Sequence, residues 1–276
     1  MLGTIITIVV LVAIYLFLIA PRMCHKPDIT PLMGWHYAHR GLFDNATDAP
    51  ENSLPAMKKA VEAGYGIEFD VQLSKDKKLV VFHDATLKRM CGVDGNVWDY
   101  TLEELKQFRL LDSGAEIPTF EEALELVNGQ VPLVIEYKLD QVQTLVCELA
   151  NDILKNYHGA YCIECFHPAA VIWYRKNRPD IVRGQLSQEH YRYKQHRKNP
   201  GKYIVAWLLT NVVARPDFVA YNAKHYKDLS RRLFKMLGGL SVAWTIRSVE
   251  QYEQVKDEFD LFIFDSCLLD QETAKK

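Results

Sequence analysis

The 276-residue chain lacks the features that would assign it to several broad classes. Its six cysteines, at positions 24, 91, 147, 162, 165 and 267, show none of the dense spacing of a secreted disulfide scaffold, and they fit a reducing compartment. Cys162 and Cys165 form a single C-x-x-C without a second pair. They fall in a predicted strand, where positions three apart face opposite ways, so zinc or redox chemistry there is disfavoured. There is no excess of charge of either sign. A net charge of -2 gives no electrostatic reason to expect nucleic acid, and the basic stretch from 192 to 198 reads as a solvated face. Nor is the composition that of a disordered chain: 49% hydrophobic and 25% charged residues suit one large globular domain.

One long apolar run is present. Leu2 to Ala20 carries no charge and nearly matches a hydrocarbon core of about 30 Å at about 1.5 Å per residue, which predicts a transmembrane helix over 2–20. A cleaved signal peptide is the main rival, but no Lys or Arg precedes the run and no small-x-small site follows it. Arg22 and Lys26 lie on its C-terminal side, which points to a single-pass membrane protein with a cytoplasmic catalytic domain. Residues 21–34 read as a short stiff linker, with three prolines by position 31, and 35–276 as the globular domain.

Within that domain, apolar strand-like runs alternate with helical periodicity. Helices are predicted at Thr101 to Phe108 and Thr119 to Val127, each opening with Thr and a Glu three later, at Gln141 to Lys155, and further on at Tyr203 to Val213 and His225 to Leu237. Tyr203 to Val213 is read as a barrel-packing helix, with membrane docking as the alternative. About five residues separate the strand starting at Gly66 from the run Leu79 to Phe82, too few for a helical crossover, so these two pair as a hairpin. With that excursion set aside, eight strands remain, predicting a (β/α)8 TIM barrel that is irregular at its second connection. Catalytic groups in such barrels gather at the C-terminal strand ends. Here those ends carry His39-Arg40, Asp70, Glu136 with Lys138, Phe166, Gln185, Tyr221-Asn222, Trp244-Thr245 and Asp265.

The strand Gly66-Ile67-Glu68-Phe69-Asp70-Val71-Gln72 is the anomaly. Its acidic residues sit two apart and share a face, whereas strands of such folds are usually apolar on both. Burying an unpaired carboxylate costs several kcal/mol, so Glu68 and Asp70 call for a cation or a wet cavity. Glu136 and Lys138 repeat the spacing, bringing a third carboxylate inward. Three carboxylates without His or Cys beside them favour one hard divalent cation, Mg²⁺ or Ca²⁺, over zinc. Alternatively, Glu68 and Asp70 line a solvated mouth or pair with Lys138. The strand-end histidines His39 and His83 are suited to proton transfer near pH 7, and Arg40 to bidentate phosphate contact.

The arrangement resembles the glycerophosphodiester phosphodiesterases. The resemblance rests on His39-Arg40-Gly41, Pro50-Glu51-Asn52-Ser53, Ile67-Glu68-Phe69-Asp70-Val71, Val80-Val81-Phe82-His83-Asp84, Ile117-Pro118-Thr119, Glu136-Tyr137-Lys138 and Trp244-Thr245, in the family's order. It implies that Glu68, Asp70 and Glu136 bind the metal, that His39 and His83 are the acid/base pair, and that Arg40 and Lys138 contact the substrate phosphate. Glu51 and Asp265 would support the site, and Phe166 and Trp244 would line the substrate pocket. The implied reaction is hydrolysis of a glycerophosphodiester to glycerol 3-phosphate and an alcohol. Two alternatives are lysophospholipase D-type hydrolysis of a lysophospholipid and, in a different class, a catalytically dead membrane-tethered binding module. Cys165-Phe166 stands where many members have Ser-Phe, and Phe264-Asp265-Ser266-Cys267 where Thr-Asp-x-Pro is usual. These departures bear on the substrate pocket alone.

Overall fold

A computed structural model describes residues 1–139, 143–194 and 199–274. The start of the helix predicted from Gln141 and the C-terminal part of the basic stretch 192–198 lie outside the described residues. The strands are β1 His36–His39, β2 Gly66–Leu73, β3 Leu79–Val81, β4 Leu133–Tyr137, β5 Tyr161–Cys165, β6 Arg183–Ser187, β7 Phe218–Asn222, β8 Leu240–Ile246 and β9 Leu261–Phe264. Strand β1 pairs in parallel with both β2 and β9, so the parallel strands close into a barrel, while β3 pairs antiparallel with β2 outside it. Among the described residues eight strands make the closed ring, the architecture of a (β/α)8 TIM barrel.

Around it run α1 Leu2–Ile19, α2 Leu54–Glu62, α3 Lys88–Cys91, α4 Leu102–Leu105, α5 Phe120–Val127, α6 Leu145–Leu154, α7 Pro168–Asn177, α8 Pro200–Ala206, α9 Asn211–Ala214, α10 Leu229–Met236, α11 Val249–Val255 and α12 Gln271–Ala274. The capping signals fall where the sequence puts them. Thr119 Oγ1 accepts from the Glu122 N–H at 3.1 Å while the Glu122 carboxylate accepts from the Thr119 N–H at 2.8 Å. Thr101 and Glu104 form the same box, but α4 stops at Leu105 rather than continuing to Phe108.

Two other helical expectations are corrected. Tyr203 to Val213 is two short helices, α8 and α9, because the fully buried Leu208 takes a left-handed backbone (φ 57°) that turns the chain between them. His225 to Leu237 begins as a 3₁₀ turn, and α10 starts only after Asp228, whose carboxylate caps it by accepting from the Arg231 N–H at 2.9 Å.

Alternation along the strands divides the barrel interior into layers. Near the N-terminal ends it is apolar, with Tyr37, Val134, Cys162, Phe218, Val242 and Leu261 packed together over Leu32. Residues 29–33, expected to be linker, lie against this floor, and the Tyr37 hydroxyl donates to the Leu32 carbonyl at 2.7 Å. The largest floor rings sit beside glycines in register on the next strand: Tyr37 opposite Gly66, and Phe218 opposite Gly184. A Cβ on Gly184 would approach Phe218 Cε2 to 2.0 Å. One strand step alters the expected pocket lining: Tyr221 faces the outer helical shell instead of the cavity, and Gln185 turns its amide to the Cys165 and Phe166 carbonyls. Cys162 and Cys165 pack on opposite sides of the sheet, as positions three apart must.

Gly184→Ala should therefore overpack the floor and destabilise the protein by about 2–3 kcal/mol in chemical unfolding. Adding Phe218→Leu should recover part of that loss, and strict additivity of the two changes would refute the ring-over-glycine account.

Candidate active site

Above this floor the inward positions become polar. Parallel register sets His39 beside Glu68, Asp70 beside Glu136 and Glu136 beside Glu164. Glu68, Asp70 and Glu136 are buried, and each offers a carboxylate oxygen within 4.8 Å of the others, so together they could hold a metal ion. An all-oxygen donor set of this kind suits a hard divalent cation.

Two cations of the chain share the space. Lys138 Nζ lies 2.8 Å from Asp70 Oδ1 and 2.6 Å from Glu136 Oε1, so the internal ion pair read as an alternative in the sequence is present. Arg40 Nη1 donates to Glu51 Oε1 at 2.5 Å, and its Nε lies 3.5 Å from Asp70 Oδ2. Arg40 adopts a left-handed backbone (φ 58°), and its N–H donates to the Glu68 carbonyl at 2.7 Å. That bend directs the guanidinium toward the carboxylates.

The charges are unequal as a result. Burial and the neighbouring Asp70, Glu136 and Glu164 push Glu68 well above the usual carboxylate range. Burial acts on Asp70 too, but Lys138, His83 and Arg40 outweigh it and hold that carboxyl well below the usual range. Glu136 is raised, chiefly by burial, with Lys138 opposing. The Lys138 ammonium is held charged by Asp70 and Glu136 against the effect of burial.

Each histidine is oriented by an aspartate. His39 Nδ1 is 2.9 Å from Asp265 Oδ2, leaving Nε2 toward the carboxylates, 3.9 Å from Glu68 Oε2. Asp265 also accepts from Arg247 at 3.1 Å and Ser266 at 2.8 Å. Despite burial, His39 and these neighbours bring its carboxyl down to about 2. Burial lowers the His39 pKa, with Asp265 opposing. His83 Nδ1 is 2.7 Å from Asp84 Oδ1. Phe166 and Trp244 pack edge to face at 5.5 Å, and the buried Trp244 indole N–H has no hydrogen-bond partner among the described residues. From Glu136 and Lys138 a cleft of about 540 Å³ runs past Phe166 and His167 to Lys202, Ile204, Val205 and Thr210.

Sequence reasoning missed several participants. Arg89 on α3 bridges Asp84 and Glu51, at 2.6 and 2.7 Å, and so joins the braces behind His83 and Arg40. Asn52 donates to Asp70 Oδ2 at 2.8 Å. Glu164 is a fourth buried carboxylate, raised well above its usual range by burial and by Glu136. Its position two before Phe166 on β5 is the same spacing that exposed Glu136, so the signal was present.

Glu51 links these pieces. Burial disfavours its charge, but Arg89 and Arg40 bring its carboxyl to about 2, from an ordinary 4.5. A depressed folded-state pKa stabilises fully above the ordinary value and is lost as the pH falls through the folded one. Glu51→Gln should cost about 2–4 kcal/mol at pH 7, with the difference from the parent narrowing between pH 5 and 2. A pH-independent difference in thermal unfolding would contradict the ionic origin of the brace.

The glycerophosphoryl diester phosphodiesterase family model matches residues 39–267. A glycerophosphodiester phosphodiesterase of Caldanaerobacter subterraneus is 34% identical over 55% of the chain and 65% of its own length. A lysophospholipase D of Rattus norvegicus is 28% identical over 53% of the chain and 49% of its own length. The chain thus spans less than two thirds of these curated relatives. The solved structure of a glycerophosphodiester phosphodiesterase from Thermotoga maritima superposes with a TM-score of 0.65 and 27% identity, covering 87% of this chain and 96% of that one.

Proposed function

The chain belongs to the glycerophosphoryl diester phosphodiesterase family, and from that premise we propose that it hydrolyses a glycerophosphodiester to glycerol 3-phosphate and an alcohol with the aid of a divalent cation. The observation that supports this reading is the buried carboxylate triad with two histidines beside it, each backed by an aspartate. Glu68, Asp70 and Glu136 would hold one Mg²⁺ or Ca²⁺. When bound, that ion supplies positive charge that neutralises the phosphodiester and stabilises charge gathering on its oxygens.

The chain's own groups do the rest. Arg40 and Lys138 present guanidinium and ammonium donors for phosphate oxygens, with Glu51 and Asn52 fixing their surroundings. In the neutral tautomer that donates from Nδ1 to its aspartate, each histidine keeps Nε2 free to accept a proton. In the doubly protonated form the same aspartate stabilises the charge. One of His39 and His83 takes the proton of the attacking water or of the substrate's glycerol hydroxyl, and the other gives one to the leaving alcohol. Phe166 and Trp244 bound the substrate, and Asp265 orients His39.

The cleft favours a second substrate reading, lysophospholipid, because it leads from Lys138 to apolar Ile204 and Val205. In both readings residues 2–20 anchor a single-pass membrane protein, 21–34 join the anchor to the catalytic domain 35–276, and Arg22 and Lys26 place that domain in the cytoplasm.

His39→Ala and His83→Ala should each reduce turnover by about 10²–10⁴-fold with cation binding, read by calorimetry, retained. Glu68→Gln should weaken cation binding itself. Histidine variants as active as the parent would refute the acid/base roles. Choline release from glycerophosphocholine and from lysophosphatidylcholine, with Mg²⁺ or Ca²⁺ restored to chelated enzyme, separates the substrates. No release from either would leave only a binding module.

A further inference from the structure

Helix α1 is long and apolar enough to cross a membrane, and the way it meets the barrel has a direction. At its C-terminal side the chain touches the N-terminal ends of the strands: the Arg22 N–H donates to the Pro216 carbonyl at 3.0 Å, and its guanidinium donates to the Pro179 carbonyl at 2.7 Å, both just before β7 and β6. Ile19 and Ala20 sit one level higher, where Asn211 donates to the Ile19 carbonyl at 3.0 Å and Arg215 to that of Ala20 at 3.0 Å. Tyr15 reaches the opposite, catalytic end. Its hydroxyl donates to the Trp207 carbonyl at 3.3 Å and meets Ser230 Oγ at 2.9 Å. Those partners belong to that end: α8 hangs from the end of β6, with Ser187 Oγ donating to the Val205 carbonyl at 2.9 Å, and Ser230 opens α10, which follows β7.

The helix therefore climbs the barrel wall from floor to mouth, and Leu2 to Ile14, all exposed, continue beyond the catalytic face for about 20 Å at about 1.5 Å per residue. A hydrocarbon core is about 30 Å thick. The exposed apolar stretch leaves the barrel on the catalytic side, so a bilayer that takes it up faces the mouth. The surface there is suited to contact. Ile204 is 44% exposed, Trp207 47% and Leu229 66%, and Val249 and Leu268 are exposed at the same end. Exposed Lys224 and Lys227 flank them, placed for lipid phosphates.

We infer that the catalytic end of the barrel, through Ile204, Trp207 and Leu229, docks on a phospholipid bilayer, so that the cleft beside Ile204 opens at the leaflet and takes a lipid phosphodiester whose acyl chain stays in contact with the membrane. The substrate part rests on the phosphodiesterase reading; the docking part does not. Trp–lipid contact is read directly. The full chain, reconstituted in phosphatidylcholine–phosphatidylglycerol vesicles with brominated acyl chains, should show tryptophan quenching that Trp207→Phe largely abolishes. Equal quenching of the two proteins overturns the docking.

The double variant Trp207→Ser, Leu229→Ser should raise the KM for lysophosphatidylcholine in vesicles roughly five- to tenfold, about the loss of one side chain's interfacial burial. Its turnover of soluble glycerophosphocholine should be unchanged. Met236→Ser, at the far end of α10, should alter neither. An unaltered vesicle KM with soluble turnover intact overturns the lipid route while leaving the hydrolase. If the parent hydrolyses neither substrate, the hydrolase reading fails, and the quenching difference alone decides the docking.

Discussion

The structure depends on keeping acid groups ionised, or neutral by arrangement, inside a barrel. Glu68, Asp70, Glu136 and Glu164 lie on three neighbouring strands, all buried. Left to themselves they would repel each other and lose hydration, each at a cost of several kcal/mol. Lys138 and Arg40 offset part of this for Asp70 and Glu136, while Glu68 and Glu164 are driven toward their protonated forms. The two cations do not balance four carboxylates. A divalent cation held by Glu68, Asp70 and Glu136 would favour the ionised form of Glu68 as well, while Lys138 braces Asp70 and Glu136.

So concentrated a polar layer sits on a floor that is apolar and closely packed. Tyr37 and Phe218 fill the lower barrel by lying over Gly66 and Gly184, and Leu32 closes it from below. The excursion from β3 to α4 has its own small core around Val80, Phe82, Met90 and Leu105. That core holds Arg89 in place, so the bracing of Glu51 depends on packing well away from the cavity.

What was legible in the sequence follows from periodicity. A two-residue alternation is strict on a strand, so Glu68, Asp70, Glu136 and Lys138 could be set facing one another before any coordinate existed, and Thr-x-x-Glu marks a helix start by local bonding alone. The same rule applied to β5 would have found Glu164. Arg89 was harder, because its partnership with Glu51 joins positions 38 residues apart and depends on how the excursion folds back. Tyr221 and Gln185 were misread by one step along their strands, enough to reverse a side chain. The break at Leu208 has no local signal. Leu208 packs in the core there while Asn211 and Arg215, just after it, bond the end of α1.

The same stretch ties α1 to the cleft. Asn211 and Arg215 donate to the carbonyls at the end of α1, and before the turn at Leu208 stand the exposed Ile204 on α8 and Trp207 just after it. With the turn at Leu208 the stretch presents Asn211 to Ile19, buries Leu208 and leaves Trp207 exposed. The connection after β6 therefore does two things: it seats α1 and it walls the cleft. Because one short stretch does both, the placement of α1 and the lining of the cleft are a single property of the fold.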